Sequence, residues 1–196
     1  MHGLVNRALQ CFLRDSFGAT VWEDVSRTAA APPGGFESML HYDDALTLRL
    51  LAAAATRLER TEEALLEDLG TYLVSHPRRE GLRRLLRFGG VELVDFLHSL
   101  DDLPGRCRLA VPDLDMPHLE LDENGEGRWV LMVRGPWPQF GPVMMGVLRA
   151  MADDYGALVL LEMMPPTPDG AARIAIELFD PRFTEGRPFD LALDGE

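Results

Sequence analysis

Four acidic pairs are the first candidates for chemistry: Asp43-Asp44, Asp101-Asp102, Asp153-Asp154, and Asp113 with Asp115. Paired carboxylates hold a hard cation, or divide acid and base roles, only when they converge on one cleft. Nothing in the spacing forces convergence. Asp43 and Asp44 read as a helix cap and the other pairs as solvated ends, so an enzyme built on them would need two carboxylates facing one cleft. Cys11 and Cys107 form no Cys-x-x-Cys motif and cannot make a disulfide framework. Cys11 sits beside an apolar stripe and reads as helix packing. Cys107 stands between Arg106 and Arg108, which favour a thiolate; the other reading is a half-buried small hydrophobe. His98 reads as a surface or capping residue and His118 as a loop residue at a strand start. There is no P-loop, dinucleotide glycine fingerprint, Gly-x-Ser-x-Gly elbow or metal-spaced His pair. No catalytic constellation emerges, and the expectation is a protein that is not an enzyme.

The elements that position these residues come from a chain of 196 residues with 46% apolar content, enough for a folded core. All 19 basic residues are Arg, against 32 acidic residues, for a net charge of −13. Such a surface argues against non-specific binding to nucleic acid or anionic membranes. Arg7, Gln10 and Arg14 interrupt the N-terminal apolar positions, so no secretory signal is read there. No run approaches the roughly 18–20 apolar residues of a membrane span. A cytoplasmic protein without a membrane segment is expected. The one positive patch is Arg78-Arg79 with Arg83-Arg84-Arg87. Its Leu82, Leu85 and Leu86 would face the core and its arginines would pair with nearby acids or dock an acidic partner.

The first two-thirds have helical period. Leu4, Val5, Ala8, Leu9, Phe12 and Leu13 share one stripe. Thr20 and Glu23 have capping-box spacing, and Pro32-Pro33-Gly34-Gly35 ends the second helix. A third begins near Asp43-Asp44. A fourth begins at Thr61-Glu62-Glu63 and stops at His76-Pro77. Arg78 to Phe88 is a short basic helix closed by Gly89-Gly90, and Val91 to about Val111 a longer one. The last third alternates at Leu119 and Leu121, then at Trp129, Leu131 and Val133, a hairpin turning at Asn124-Gly125. Val143 to Met151 is helical. Ala157 to Met163 and Ile174 to Leu178 read as strands separated by Pro165 to Gly170. The expected class is α+β, an N-terminal helical bundle followed by β-β-α-β-β with a four-stranded antiparallel sheet. One domain over 1–180 is expected, with 181–196 as a flexible tail.

This order, with several local stretches, resembles the heme-nitric oxide/oxygen-binding (H-NOX) family. Met1-His2-Gly3-Leu4-Val5 is similar to the family's opening. Phe17-Gly18 and Trp22 resemble the end of its first helix and the helix that follows. Leu65 to Leu73, with Gly70 inside, resembles its helix with a central glycine. Phe96 to Leu103 resembles the segment leading to the heme ligand. Gly146-Val147-Leu148 and Tyr155-Gly156 resemble the helix between the hairpins. The resemblance spans roughly residues 1–180 and implies a sensor that binds a ligand and alters a signalling partner, often a histidine kinase or cyclase.

It also implies heme, held by a histidine on the long helix and by a Tyr-x-Ser-x-Arg motif gripping the propionates. Family spacing places Pro104 at the histidine and Val133, Gly135 and Trp137 at the three motif positions. A one-residue shift gives Arg134, Pro136 and Pro138 instead. Proline cannot ligate iron and should kink or end the helix. Two readings follow. One is a regulatory binding protein with a degenerate heme site and an apolar pocket lined by Met144, Trp137 and the first-helix stripe, unless Trp137 fills that space itself. The other is a gas sensor with a non-standard axial ligand, Cys107 or His98. Arg134 could meet one propionate. The other reading of Met144, shared with Met145, Met151, Met163 and Met164, is core between helix and sheet.

Overall fold

The computed structural model describes residues 1–135 and 137–189. Helix α1 (Gly3–Phe17) buries Leu9, Phe12 and Leu13 on its apolar stripe. His2 caps it through an imidazole nitrogen that accepts the Leu4 N–H at 3.2 Å. Helix α2 (Ala19–Thr28) begins one residue before Thr20, after Gly18 at φ 91°. Thr20 therefore lies inside the helix, and the expected capping box does not form. Asp43 does cap α3 (Asp44–Leu58), accepting the Ala45 N–H at 2.9 Å. Thr61 caps α4 (Glu62–Ser75), accepting the Ala64 N–H at 3.1 Å. A 3-10 turn at Pro77–Arg79 leads into α5 (Glu80–Arg87).

The long helix expected over 91–111 is two short ones, α6 (Leu93–His98) and α7 (Leu103–Ala110). Pro104 gives the reason. Its ring would strike the Leu100 carbonyl four residues back, and it has no N–H to offer that carbonyl. The chain instead tightens, with Leu100 and Leu103 donating three residues back to Leu97 and Leu100. Pro104 then occupies the first turn of α7, where a missing N–H costs nothing.

Strands β1 (His118–Glu123) and β2 (Arg128–Arg134) form the expected hairpin. Helix α8 (Phe140–Tyr155) leads to β3 (Leu158–Met164) and β4 (Ala172–Asp180). The sheet is antiparallel in the order β1-β2-β4-β3. Its register sets Leu121 opposite Leu131 and Leu131 opposite Ile174, so one face is apolar and buried.

Two cores result. One joins α1–α4 with Trp137 and Val143; the other joins α5–α7, the sheet and most of α8. They meet where α4 crosses α8. A Cβ on Gly70 would lie 2.1 Å from the Val143 carbonyl oxygen, and one on Gly146 would lie 1.9 Å from that of Glu67. Only glycine lets the two backbones approach this closely.

The segment after Pro181, expected to be free, is docked as far as Phe189. Thr184 N–H donates to the Gly156 carbonyl at 3.0 Å and Arg187 N–H to the Asp154 carbonyl at 2.9 Å. The remainder of the expected tail, 190–196, lies outside the described residues.

Candidate functional site

Helix α7 turns Pro104 and Cys107 to the same inward face, three residues apart. Cys107 packs in the core that also holds Phe96, Leu119 and Met144. Of the two readings of Cys107, the thiolate is not favoured. Burial pushes the Cys107 thiol up, outweighing the opposing pull of Arg106. The flanking guanidinium groups are committed elsewhere. Arg106 donates to the Leu85 carbonyl at 3.1 Å and the Ser99 carbonyl at 2.9 Å, and Arg108 to the Pro104 carbonyl at 3.3 Å.

The other candidates are not gathered around Cys107. Met144 shares its core, but Trp137 is buried in the other one, edge-on to Phe140 with ring centroids 5.4 Å apart. The Trp137 indole N–H has no hydrogen-bond partner among the described residues. Arg134 lies toward the surface, paired with Asp169 and 3.9 Å from Glu120. His98 is half-exposed at the end of α6, 3.5 Å from Glu123 and edge-on to Trp129. Val133 is buried and apolar at the end of β2.

The acidic pairs do not converge. Asp43 caps α3, and Asp44 receives the N-terminal amine. Asp101, Asp102, Asp113, Asp115 and Asp153 are exposed. Asp154, expected as a solvated helix end, is instead 1% exposed. Its carboxylate accepts from Arg83 Nε at 2.7 Å and has Arg87 at 3.6 Å and Arg187 at 3.7 Å. Burial pulls the Arg83 guanidinium down, but the bond and charge of Asp154 overcome it, so the net shift is upward. Arg87 stacks over the Tyr155 ring at 3.9 Å. The basic helix is thus largely turned inward, with Arg83 buried, rather than being a fully solvated face. Among the described residues, no group of three His, Cys, Asp or Glu side chains is placed to hold a metal ion. Among them, too, no helix is long and apolar enough to cross a membrane.

A cleft of about 740 Å³ opens elsewhere, between the N-terminal turns of α4 and α8 and the β3–β4 turn. Met163 and Met164, expected as core, line it, while Met144 and Trp137 do not. The sequence signals that could have found it are the paired methionines and the proline-rich turn after them. What the sequence did not reveal is that α4 brings Glu62, Glu63 and Leu66 against that turn.

The architecture, helices followed by a β-β-α-β-β sheet, defines an H-NOX fold. The chain superimposes on an H-NOX protein from S. oneidensis with a TM-score of 0.79 at 14% identity, covering 93% of this chain and 98% of that one. It superimposes on an unliganded Fe(II) H-NOX protein from K. algicida with a TM-score of 0.76 at 15% identity, covering 92% and 97%. Residues 2–163 match the Haem-NO-binding family, and the chain belongs to that family. Curated relatives include soluble guanylate cyclase 89Db of Drosophila melanogaster, 20% identical over 81% of this chain and 24% of that protein. Soluble guanylate cyclase gcy-35 of Caenorhabditis elegans is 26% identical over 78% of this chain and 22% of that protein. The chain spans about a quarter of the length of these relatives.

Proposed function

We propose that this chain is a regulatory binding domain of the H-NOX type whose heme site is degenerate, and that it acts by altering contact with a signalling partner such as a histidine kinase or cyclase. The observation that carries the reading is Pro104, facing inward where family spacing calls for an imidazole. Iron needs a donor atom that proline lacks.

The donor chemistry of the remaining residues fits family-type heme poorly. Of the five histidines, His2 caps α1, and His41 and His118 are exposed. His76 stacks on Tyr72 with ring centroids 4.7 Å apart, and His98 is half-exposed at the end of α6. At the three motif positions, Val133 and Gly135 offer no side-chain donor and Trp137 a single buried N–H. Two propionates would there meet one indole in place of hydroxyls and a guanidinium.

Cys107 supports a second reading, a heme-based NO or gas sensor with a thiolate ligand, because it shares the inward face of α7 with Pro104. The raised thiol weighs against it. Hemin titration of the purified protein separates the two. The expected result is no stoichiometric Soret band. One porphyrin per chain with an axial imidazole overturns the proposal, and a stoichiometric band that disappears in Cys107→Ala establishes the second reading.

A further inference from the structure

We propose that the cleft between α4, α8 and the β3–β4 turn binds an apolar molecule carrying a protonated amine. The inference rests on reading this chain as a binding protein, but not on the state of the heme site. The cleft shares no residue with Pro104, Cys107, Val133 or Trp137.

Its volume of about 740 Å³ is in the range of small-molecule sites. The wall is Leu66, Pro138, Pro142, Met163, Met164 and Ala172. The prolines hold the backbone stiff, while the two thioethers can adjust to a ligand's outline. This gives apolar contact without dictating one shape.

Charge is supplied by the first turn of α4. Glu62 and Glu63 line the cleft and make no ion pair among the described residues. Glu67, the third acid, is paired with Arg149 at 3.0 Å. The two helix N-termini oppose these acids with about half a positive charge each. Two full carboxylate charges outweigh them, leaving a net potential of about one negative charge. An anion would also find few donors on α8. Phe140 and Gly141 N–H groups already bond to the Trp137 and Pro138 carbonyls, and Pro142 has none. On α4, Thr61 already accepts the Ala64 N–H. The site is therefore acceptor-rich at its rim and apolar within, which matches a cationic amphiphile.

The test uses 4-phenylbutylamine, with 4-phenylbutanol and 4-phenylbutyrate as neutral and anionic counterparts. Methionine-methyl NMR reads Met163 and Met164 directly, with the buried Met144 and Met151 as internal controls. Saturable shifts confined to Met163 and Met164 are expected, with the amine bound most tightly. Glu62→Gln with Glu63→Gln should weaken the amine by roughly fivefold to tenfold, the scale of two solvent-screened charge contacts, and leave the alcohol unchanged. Met164→Trp, which fills the cleft, should abolish binding of both. The proposal is overturned if none of the three compounds gives saturable shifts, if the butyrate binds as tightly as the amine, or if the double Gln variant binds the amine normally. Hemin added to the same sample keeps the two ideas apart. Stoichiometric hemin uptake with unchanged amine binding overturns the heme-free reading alone, and absence of amine binding in a protein that takes up no hemin overturns the cleft alone.

Discussion

Replacing Asp154 by Ala tests the account of the buried ion cluster most directly. The carboxylate is 1% exposed and bonded to Arg83, itself 4% exposed. Removing one partner of a buried pair leaves the other charge uncompensated, at a cost of about 3–5 kcal/mol. Arg83 keeps Glu80 at 2.8 Å and the Pro188 carbonyl at 2.9 Å, which places the expected loss near 3 kcal/mol. Unfolding entropy of about 2.1 cal/mol/K per residue gives a chain of this length about 0.4 kcal/mol/K, so the melting midpoint should fall by about 7 °C. Circular dichroism melts measure this. Trypsin supplies a second readout, because loss of Asp154 should loosen the 181–189 segment and speed cleavage after Arg182, which precedes Phe183. The companion variant Arg83→Met with Asp154→Ala removes both charges and should recover much of the loss. A midpoint within about 2 °C of the parent for Asp154→Ala alone, with unchanged cleavage, would refute the reasoning.

Three further outcomes are expected. Gly146→Ala should destabilise by about 1–3 kcal/mol, because its Cβ meets backbone rather than a movable side chain; Gly81→Ala, with open space around it, should be neutral or stabilising in the same denaturant series. Stability should fall as the solution is acidified below about pH 6.5. Burial first, then His41, holds the His2 imidazole below its ordinary value, against the pull of Asp113 and Asp115. The unfolded chain therefore takes up this proton first, and the contribution present above the unfolded value is lost as pH falls through the lowered folded one; His2→Asn, which keeps an acceptor for the Leu4 N–H, should flatten this limb in urea melts at pH 7 and pH 5. At neutral pH, Cys107 should resist iodoacetamide until the protein unfolds, since burial raises its thiol; rapid labelling in the native state, read by mass spectrometry, would contradict the assigned burial.

The fold was legible wherever local signals agree with packing. Asp43, Thr61 and the alternating Leu119, Leu121, Trp129 and Leu131 mark their elements because capping and burial both require those residues. Thr20 misled because a side chain can cap only from outside the helix, and Gly18 starts α2 earlier. Pro104 was read as a break, but its effect reaches a turn back to Leu100, so two helices replace one. Asp154 could not be read as buried from its neighbours. Its partners are 71 residues away at Arg83 and beyond the last strand at Arg187. The cleft was hidden for the same reason, since α4 and the β3–β4 turn meet only through the tertiary fold.

The division of the interior also divides the indoles. Trp22 and Trp137 belong to the helical core and Trp129 to the core beneath the sheet. Trp129 and Trp137 each hold an N–H without a hydrogen-bond partner among the described residues, conditions that keep the excited state from relaxing into water. Phenylalanine in place of Trp129 would leave native emission to the helical core alone, and phenylalanine in place of both Trp22 and Trp137 would leave it to the core beneath the sheet. The loosening of each half during denaturation could then be followed separately by colour, with no external dye attached.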